Sequence, residues 1–125
     1  MTHRLLVVDD DEKSRRLARD VLEHAGYDIS VAISGEDALR QAASIRFSLV
    51  LLDIGLPGIG GLQTFKVLRT FPGYESVPVI AMTASVMPHE RRTLLAEGFD
   101  AFVSKPLSIK ELVRLVAATL AASHG

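Results

Sequence analysis

The chain has 125 residues, a formal net charge of −1, 48% hydrophobic and 23% charged residues, and neither cysteine nor tryptophan. That length and balance suit one globular domain over residues 1–125, and the missing thiols exclude a disulfide framework or a thiolate metal site. Near-neutral charge excludes a broad basic face for direct nucleic-acid binding, and no run approaches the ~18 apolar residues of a membrane span.

The opening "MTHRLLVVDD" meets acid too soon for a signal-peptide core, so the predicted address is cytoplasmic. Its "RLLVV" (4–8) predicts a first strand. "KSRRLARDVLEHA" (13–25) follows with helical period, placing Leu17, Val21 and Leu22 on one face and Arg15, Arg16, Arg19 and Glu23 elsewhere. The basic pairs Arg15-Arg16 and Arg91-Arg92 read as solvated helix faces. Gly26 supplies a left-handed stop.

Next come "DISVA" (28–32), the helix "GEDALRQAAS" (35–44), "SLVLL" (48–52) and the helix "LQTFKVLRT" (62–70). "PVIAM" (78–82) predicts a fourth strand, "PHERRTLLAEG" a helix with Pro88 in its first turn and Gly98 as its stop, and "AFVS" (101–104) a fifth strand. The last helix, "SIKELVRLVAATLAA", opens with Ser108 at capping-box distance from Glu111. Alternation of short aliphatic runs with amphipathic stretches predicts an α/β fold: a flavodoxin-like, doubly wound (βα)5 with a five-stranded parallel sheet, order 2-1-3-4-5. The first, third and fourth strands are apolar without alternation, as helices on both faces require.

In that order the first and third strands are neighbours, and their carboxyl ends share one edge of the sheet. "DDDE" follows the first strand and Asp53 follows the third, so acid faces acid. Asp11 and Glu12 read as a helix N-cap and a dipole-favoured first turn. Asp9 and Asp10 are different, because in this topology Asp53 should meet them. Two carboxylates ~4 Å apart repel by about 4 kcal/mol at an effective dielectric of 20. Protonation would relieve this, and so would a divalent cation; an all-oxygen site with room for water suits Mg²⁺.

The fourth strand delivers Thr83 to the same edge and the fifth delivers Lys105. Together these groups suit phosphoryl transfer to a carboxylate, which needs positioning and cations around the phosphoryl oxygens. Asp53 would attack, Mg²⁺ on Asp9, Asp10 and Asp53 would neutralise one oxygen, Thr83 would hydrogen-bond a second and Lys105 would take the third.

These residues resemble the receiver domain of two-component response regulators, over essentially the whole chain. The resemblance rests on "VVDDD", "LLDIGLPGIGG" with Pro57 and Gly61, "AMTAS" and "FVSKP", with 30 residues from Asp53 to Thr83 and 22 from Thr83 to Lys105. It implies that Asp53 is the phosphoacceptor and that the donor is a phosphohistidine of a sensor histidine kinase or histidine phosphotransfer protein. It also implies direct Mg²⁺ ligation by Asp10 and Asp53, orientation of the ion by Asp9, and the main-chain carbonyl of Gly55 as a further ligand. Phe102 takes the family's switch-aromatic position and can equally serve as a core aromatic. Phosphorylation would draw Thr83 inward, make room for Phe102 and reshape the face of the fourth helix, fifth strand and fifth helix, which a downstream protein partner would read. Val86 and Met87 would leave the fourth strand near that face, with one of them buried in the loop. Such a domain turns over only its own phosphoryl group and is not expected to be a conventional enzyme.

Gly60 departs from the acidic or amide residue frequent there, while Gly55 and Ser85 are small at the two variable positions beside the phosphoryl site and Ala84 leaves it open. Water access and a short-lived acyl phosphate are therefore expected. The chain stops soon after its fifth helix, consistent with a free-standing receiver or a piece of a longer regulator or hybrid kinase. Among rivals, a haloacid-dehalogenase-type hydrolase would use Asp9 and Asp11, but Lys13 departs from its motif. A flavodoxin-like cofactor carrier would meet repulsion at "DDDE". An interaction module without phosphorylation stays open.

Overall fold

The computed structural model describes residues 2–84 and 87–123. Strands and helices alternate in the order β1 (Arg4–Val8), α1 (Glu12–His24), β2 (Asp28–Ala32), α2 (Gly35–Ser44), β3 (Leu49–Asp53), α3 (Gly60–Leu68), β4 (Val79–Thr83), α4 (Pro88–Glu97), β5 (Ala101–Ser104) and α5 (Ile109–Ser123). The five strands form one parallel sheet in the order β2-β1-β3-β4-β5, as the sequence predicts. No helix of the described residues is long and apolar enough to cross a membrane.

The aliphatic runs build this sheet because both of its faces are covered. Leu6, Val8, Val50, Leu52, Val79 and Ala81 point to a core closed by α2 and α3, with Phe47, Phe65 and Phe99 in it. Leu5, Val7, Leu49, Leu51, Ile80 and Met82 point to a second core under α1 and α5. Full burial of such a side chain contributes about 1.5–3 kcal/mol. Every residue of β3 is buried, as are four of the five in β1 and four of the five in β4. These three strands carry the core, and β2 and β5 are its half-buried edges.

Caps set most helix boundaries. The Asp11 carboxylate accepts from Ser14 N and opens α1, and Ser34 accepts from Asp37 N and opens α2. Pro88 sits in the first turn of α4, and Gly98, at φ 110°, closes it. Ser108 Oγ accepts from Glu111 N at 3.4 Å, one half of the anticipated capping box. The expected inward face of α1 needs correction: Ala18 and Leu22 are the buried pair, Val21 is half-buried and Leu17 is 37% exposed. The small Ala18 lies at the centre of the stripe, which turns the bulkier Leu17 toward solvent.

β3 and β4 each run one residue further than their apolar composition predicts, so Asp53 and Thr83 are the last residues of their strands. Ladder bonds involve the backbone and do not respect side-chain polarity. The pairing continues past the strand ends, with Asp9 N to Ala32 O at 3.1 Å, Ile54 N to Met82 O at 2.9 Å and Lys105 N to Thr83 O at 2.8 Å. These bonds hold the first residues of three loops in register along one edge.

α3 begins at Gly60, earlier than expected, without a side-chain cap. Gly61 packs against the end of β3 so closely that an added Cβ would lie 2.3 Å from Asp53 O and 2.6 Å from Ile54 Cα. Those are backbone atoms and cannot rotate away. Gly61→Ala is expected to lower stability in urea unfolding by about 1–3 kcal/mol, whereas Gly55→Ala, whose Cβ would meet Asp53 Oδ1 at an ordinary 3.6 Å, should stay within about 0.5 kcal/mol.

Candidate functional site

The carboxyl edge of the sheet brings the anticipated residues together. Asp9, directly after β1, is fully buried, and Asp53, the last residue of β3, is 6% exposed. Asp10 beside them is exposed. Each of the three offers a carboxylate oxygen within 4.8 Å of the others. Lys105, in the loop after β5, reaches across β4: its Nζ donates to Asp53 Oδ2 at 3.0 Å and lies 2.9 Å from Asp9 Oδ2. Its peptide bond to Pro106 is cis.

Backbone amides fix the other carboxylate oxygens. Gly55 N donates to Asp53 Oδ1 and Asp11 N to Asp9 Oδ1, both at 2.9 Å. Two of the four oxygens of the buried pair thus take local amide bonds, and the other two face the ammonium. The contact to Asp9 Oδ2 is an ion pair without hydrogen-bond alignment, so this buried atom has no hydrogen-bond partner among the described residues. Hard oxygen donors around an incompletely satisfied buried carboxylate are what Mg²⁺ takes. The donor set fits that ion.

Burial pushes the Asp9 carboxyl above the usual carboxylate value, with the Lys105 ammonium and the Asp11 amide opposing the shift. Lys105 is itself partly desolvated, which favours its neutral form, but Asp9 and Asp53 together outweigh this and hold its ammonium above the usual lysine value. The sequence names a divalent cation or a proton as the offset to carboxylate repulsion. The structure adds a third, the chain's own lysine.

The remaining expected residues take these places. Thr83 ends β4, half-buried, and its carbonyl accepts from Lys105 N at 2.8 Å. Gly55 lies in the loop after β3, with space that leaves its side-chain identity free. Phe102 is half-buried in β5 and packs against the core that α2 and α3 cover, so its core reading holds. Met87 is 51% exposed, and Ala84 is exposed. Ser85 and Val86 lie outside the described residues.

Two contacts are absent from the sequence reading. Arg15 is half-buried, and its guanidinium donates to Asp9 O at 3.0 Å, so it ties α1 to the acidic loop and is not a purely solvated residue. Arg91 lies over the Phe102 ring, 5.1 Å from its centroid. The acceptor in the first contact is a main-chain carbonyl, which carries no sequence signal. The second joins residues on separate elements.

The chain matches the response regulator receiver domain family over residues 5–117. It is 34% identical over 116 residues to the polar-differentiation response regulator DivK of Brucella ovis, covering 93% of this chain and 94% of that protein. Among solved structures, the chemotaxis response regulator CheY4 of Vibrio cholerae is similar with a TM-score of 0.90 at 25% identity, covering 95% of this chain and 99% of that one. The receiver domain of the sensor histidine kinase PA1611 from Pseudomonas aeruginosa is similar at 0.87 and 26% identity, covering 97% of this chain and 99% of that one; it holds a magnesium ion coordinated in its active-site cleft.

The raised Asp9 value has a consequence for stability. The native state binds this proton more tightly than the unfolded chain, so in metal-free buffer stability falls as pH rises from 3.8, the usual value, through the raised one. Asp9→Asn should remove that loss: its melting temperature near pH 7 in EDTA is expected to exceed that of the parent, with the gap closing toward pH 4. A gap that does not change with pH would contradict this origin.

Proposed function

The chain belongs to the response regulator receiver domain family, and from that premise we propose that it receives a phosphoryl group on Asp53 from a phosphohistidine of a sensor histidine kinase or histidine phosphotransfer protein. The observation that carries this reading is the convergence of Asp9, Asp10 and Asp53 within 4.8 Å, with Lys105 on Asp53 at 3.0 Å.

Receiver domains bind Mg²⁺ at an acidic pocket of this kind. Here Asp9, Asp10, Asp53 and the main-chain carbonyl of Gly55 would hold the ion, which when bound supplies positive charge against the phosphoryl oxygens. The chain's own groups do the rest. A carboxylate oxygen of Asp53 attacks phosphorus while the bond from phosphorus to the donor imidazole nitrogen breaks; the electron pair stays on that nitrogen, and the imidazole product takes up a proton as pH requires. Asp53 suits this role because the Gly55 amide fixes Oδ1 and leaves the other oxygen to react. Lys105 exchanges its contact with the carboxylate for one with a phosphoryl oxygen, as a compact point charge does well. Thr83 donates a hydrogen bond from its hydroxyl to another.

The output is a population shift. Movement of Thr83 toward the phosphoryl group makes room for Phe102, and the α4-β5-α5 face then favours a downstream protein partner that binds the shifted state. The domain catalyses its own phosphorylation and dephosphorylation and is not a turnover enzyme. A cytoplasmic setting, where histidine kinases present their phosphoryl groups, fits the absence of cysteine.

Intact-mass measurement after incubation with acetyl phosphate and Mg²⁺ tests the reading. One phosphoryl increment located on Asp53 is expected, lost in Asp53→Asn and strongly reduced in Asp10→Asn or with EDTA. An increment on Asp9, or none, would overturn it. With small residues lining the site, the isolated phosphoprotein should decay well within hours; a half-life of many hours would contradict that part.

A further inference from the structure

Of the five helices among the described residues, α4 is the one that buries no residue. Leu94 reaches the core half-buried, and Lys66 pairs with Glu97 at 3.9 Å across exposed surface. Exposed pairs of that length contribute little. Toward β5, α4 offers the Arg91 guanidinium over the ring of Phe102.

The sheet register gives that contact a direction. Phe102 pairs with Ala81, and Thr83 lies two residues further along β4. Side chains two apart on a strand share a face, so Phe102 and Thr83 stand on the same side of the sheet, the side α4 covers. If the ring moves along that face toward Thr83 while α4 stays in place, its stacking on the guanidinium is lost. On that condition the contact belongs to one arrangement and not to the other, and a differential contact of this kind is what biases a two-state element.

We infer that Arg91 is a positioning residue of the switch: its guanidinium, stacked on Phe102, latches α4 to β5 and holds the ring away from the Thr83 side. This rests on the reading of Asp53 as phosphoacceptor. A cation over an aromatic face at a partly exposed site is worth about a two- to five-fold bias in an equilibrium. Removal of the latch should raise the population of the shifted arrangement by about that factor without any adduct on Asp53.

The test follows backbone amide resonances of α4, β5 and Thr83 in the full chain, with the parent protein alone and with Mg²⁺ and beryllium trifluoride as the two end points. Arg91→Met keeps the aliphatic stem and removes the cation; Arg91→Lys keeps a cation. In adduct-free Arg91→Met, the β5 and Thr83 resonances should move toward the beryllofluoride end point. Arg91→Lys should return most of that displacement, and Arg91→Met should add nothing in a Phe102→Leu background. Resonances of β5 and Thr83 that stay at the parent positions overturn the latch, even if α4 itself loosens. An equal displacement with and without Phe102 also overturns it. A parent protein that does not respond to beryllium trifluoride refutes the phosphoacceptor reading, and the latch falls with it, which separates the two failures.

Discussion

The ammonium of Lys105 between the carboxylates of Asp9 and Asp53 is the interaction on which the rest of the site depends. Two buried acids at the carboxyl ends of the adjacent strands β1 and β3 repel. A cation reaching from β5 across β4 makes their proximity tolerable. The offset is incomplete, because Asp9 keeps a raised proton affinity and an oxygen without a hydrogen bond among the described residues. In the proposed function a site balanced in this way would take a divalent cation at the acids and a phosphoryl group that competes for the lysine.

The fold supplies this geometry through its backbone. Ladder bonds that run past the ends of β1, β3 and β5 put Asp9, Ile54 and Lys105 in fixed register. Gly61 lets α3 start against the Asp53 carbonyl. The functional side chains therefore stand at the junction of rigid strands and short loops, and the most loosely packed helix, α4, lies beside β5. Buried, amide-fixed acids beside a helix that buries none of its residues suit the proposed reading of a small chemical event on an outer face.

Much of this was legible in the residues. Apolar runs without alternation give a sheet covered on both faces, and acids placed after the first and third of them give the pocket. Strand ends were less legible: Asp53 and Thr83 are polar yet belong to their strands, because the backbone ladder decides. The start of α3 was obscure because no side chain caps it, and Leu17 misled because a small alanine next to it fills the stripe. Lys105 was expected to serve a phosphoryl oxygen, but its hold on both acids depends on a side-chain path that spacing does not encode. Arg15 on a main-chain carbonyl and Arg91 on Phe102 lay beyond reach for the same reason.

The central claim, that the converging acids make Asp53 the reactive carboxylate, is tested most directly by a crystal structure grown with Mg²⁺ and beryllium trifluoride. The account predicts beryllium bonded to an Asp53 oxygen, a metal ion held by Asp10 and Asp53, and Lys105 Nζ moved from the carboxylate to a fluorine. Beryllium on Asp9, or a site in which Lys105 keeps both acids and no adduct forms, would contradict it.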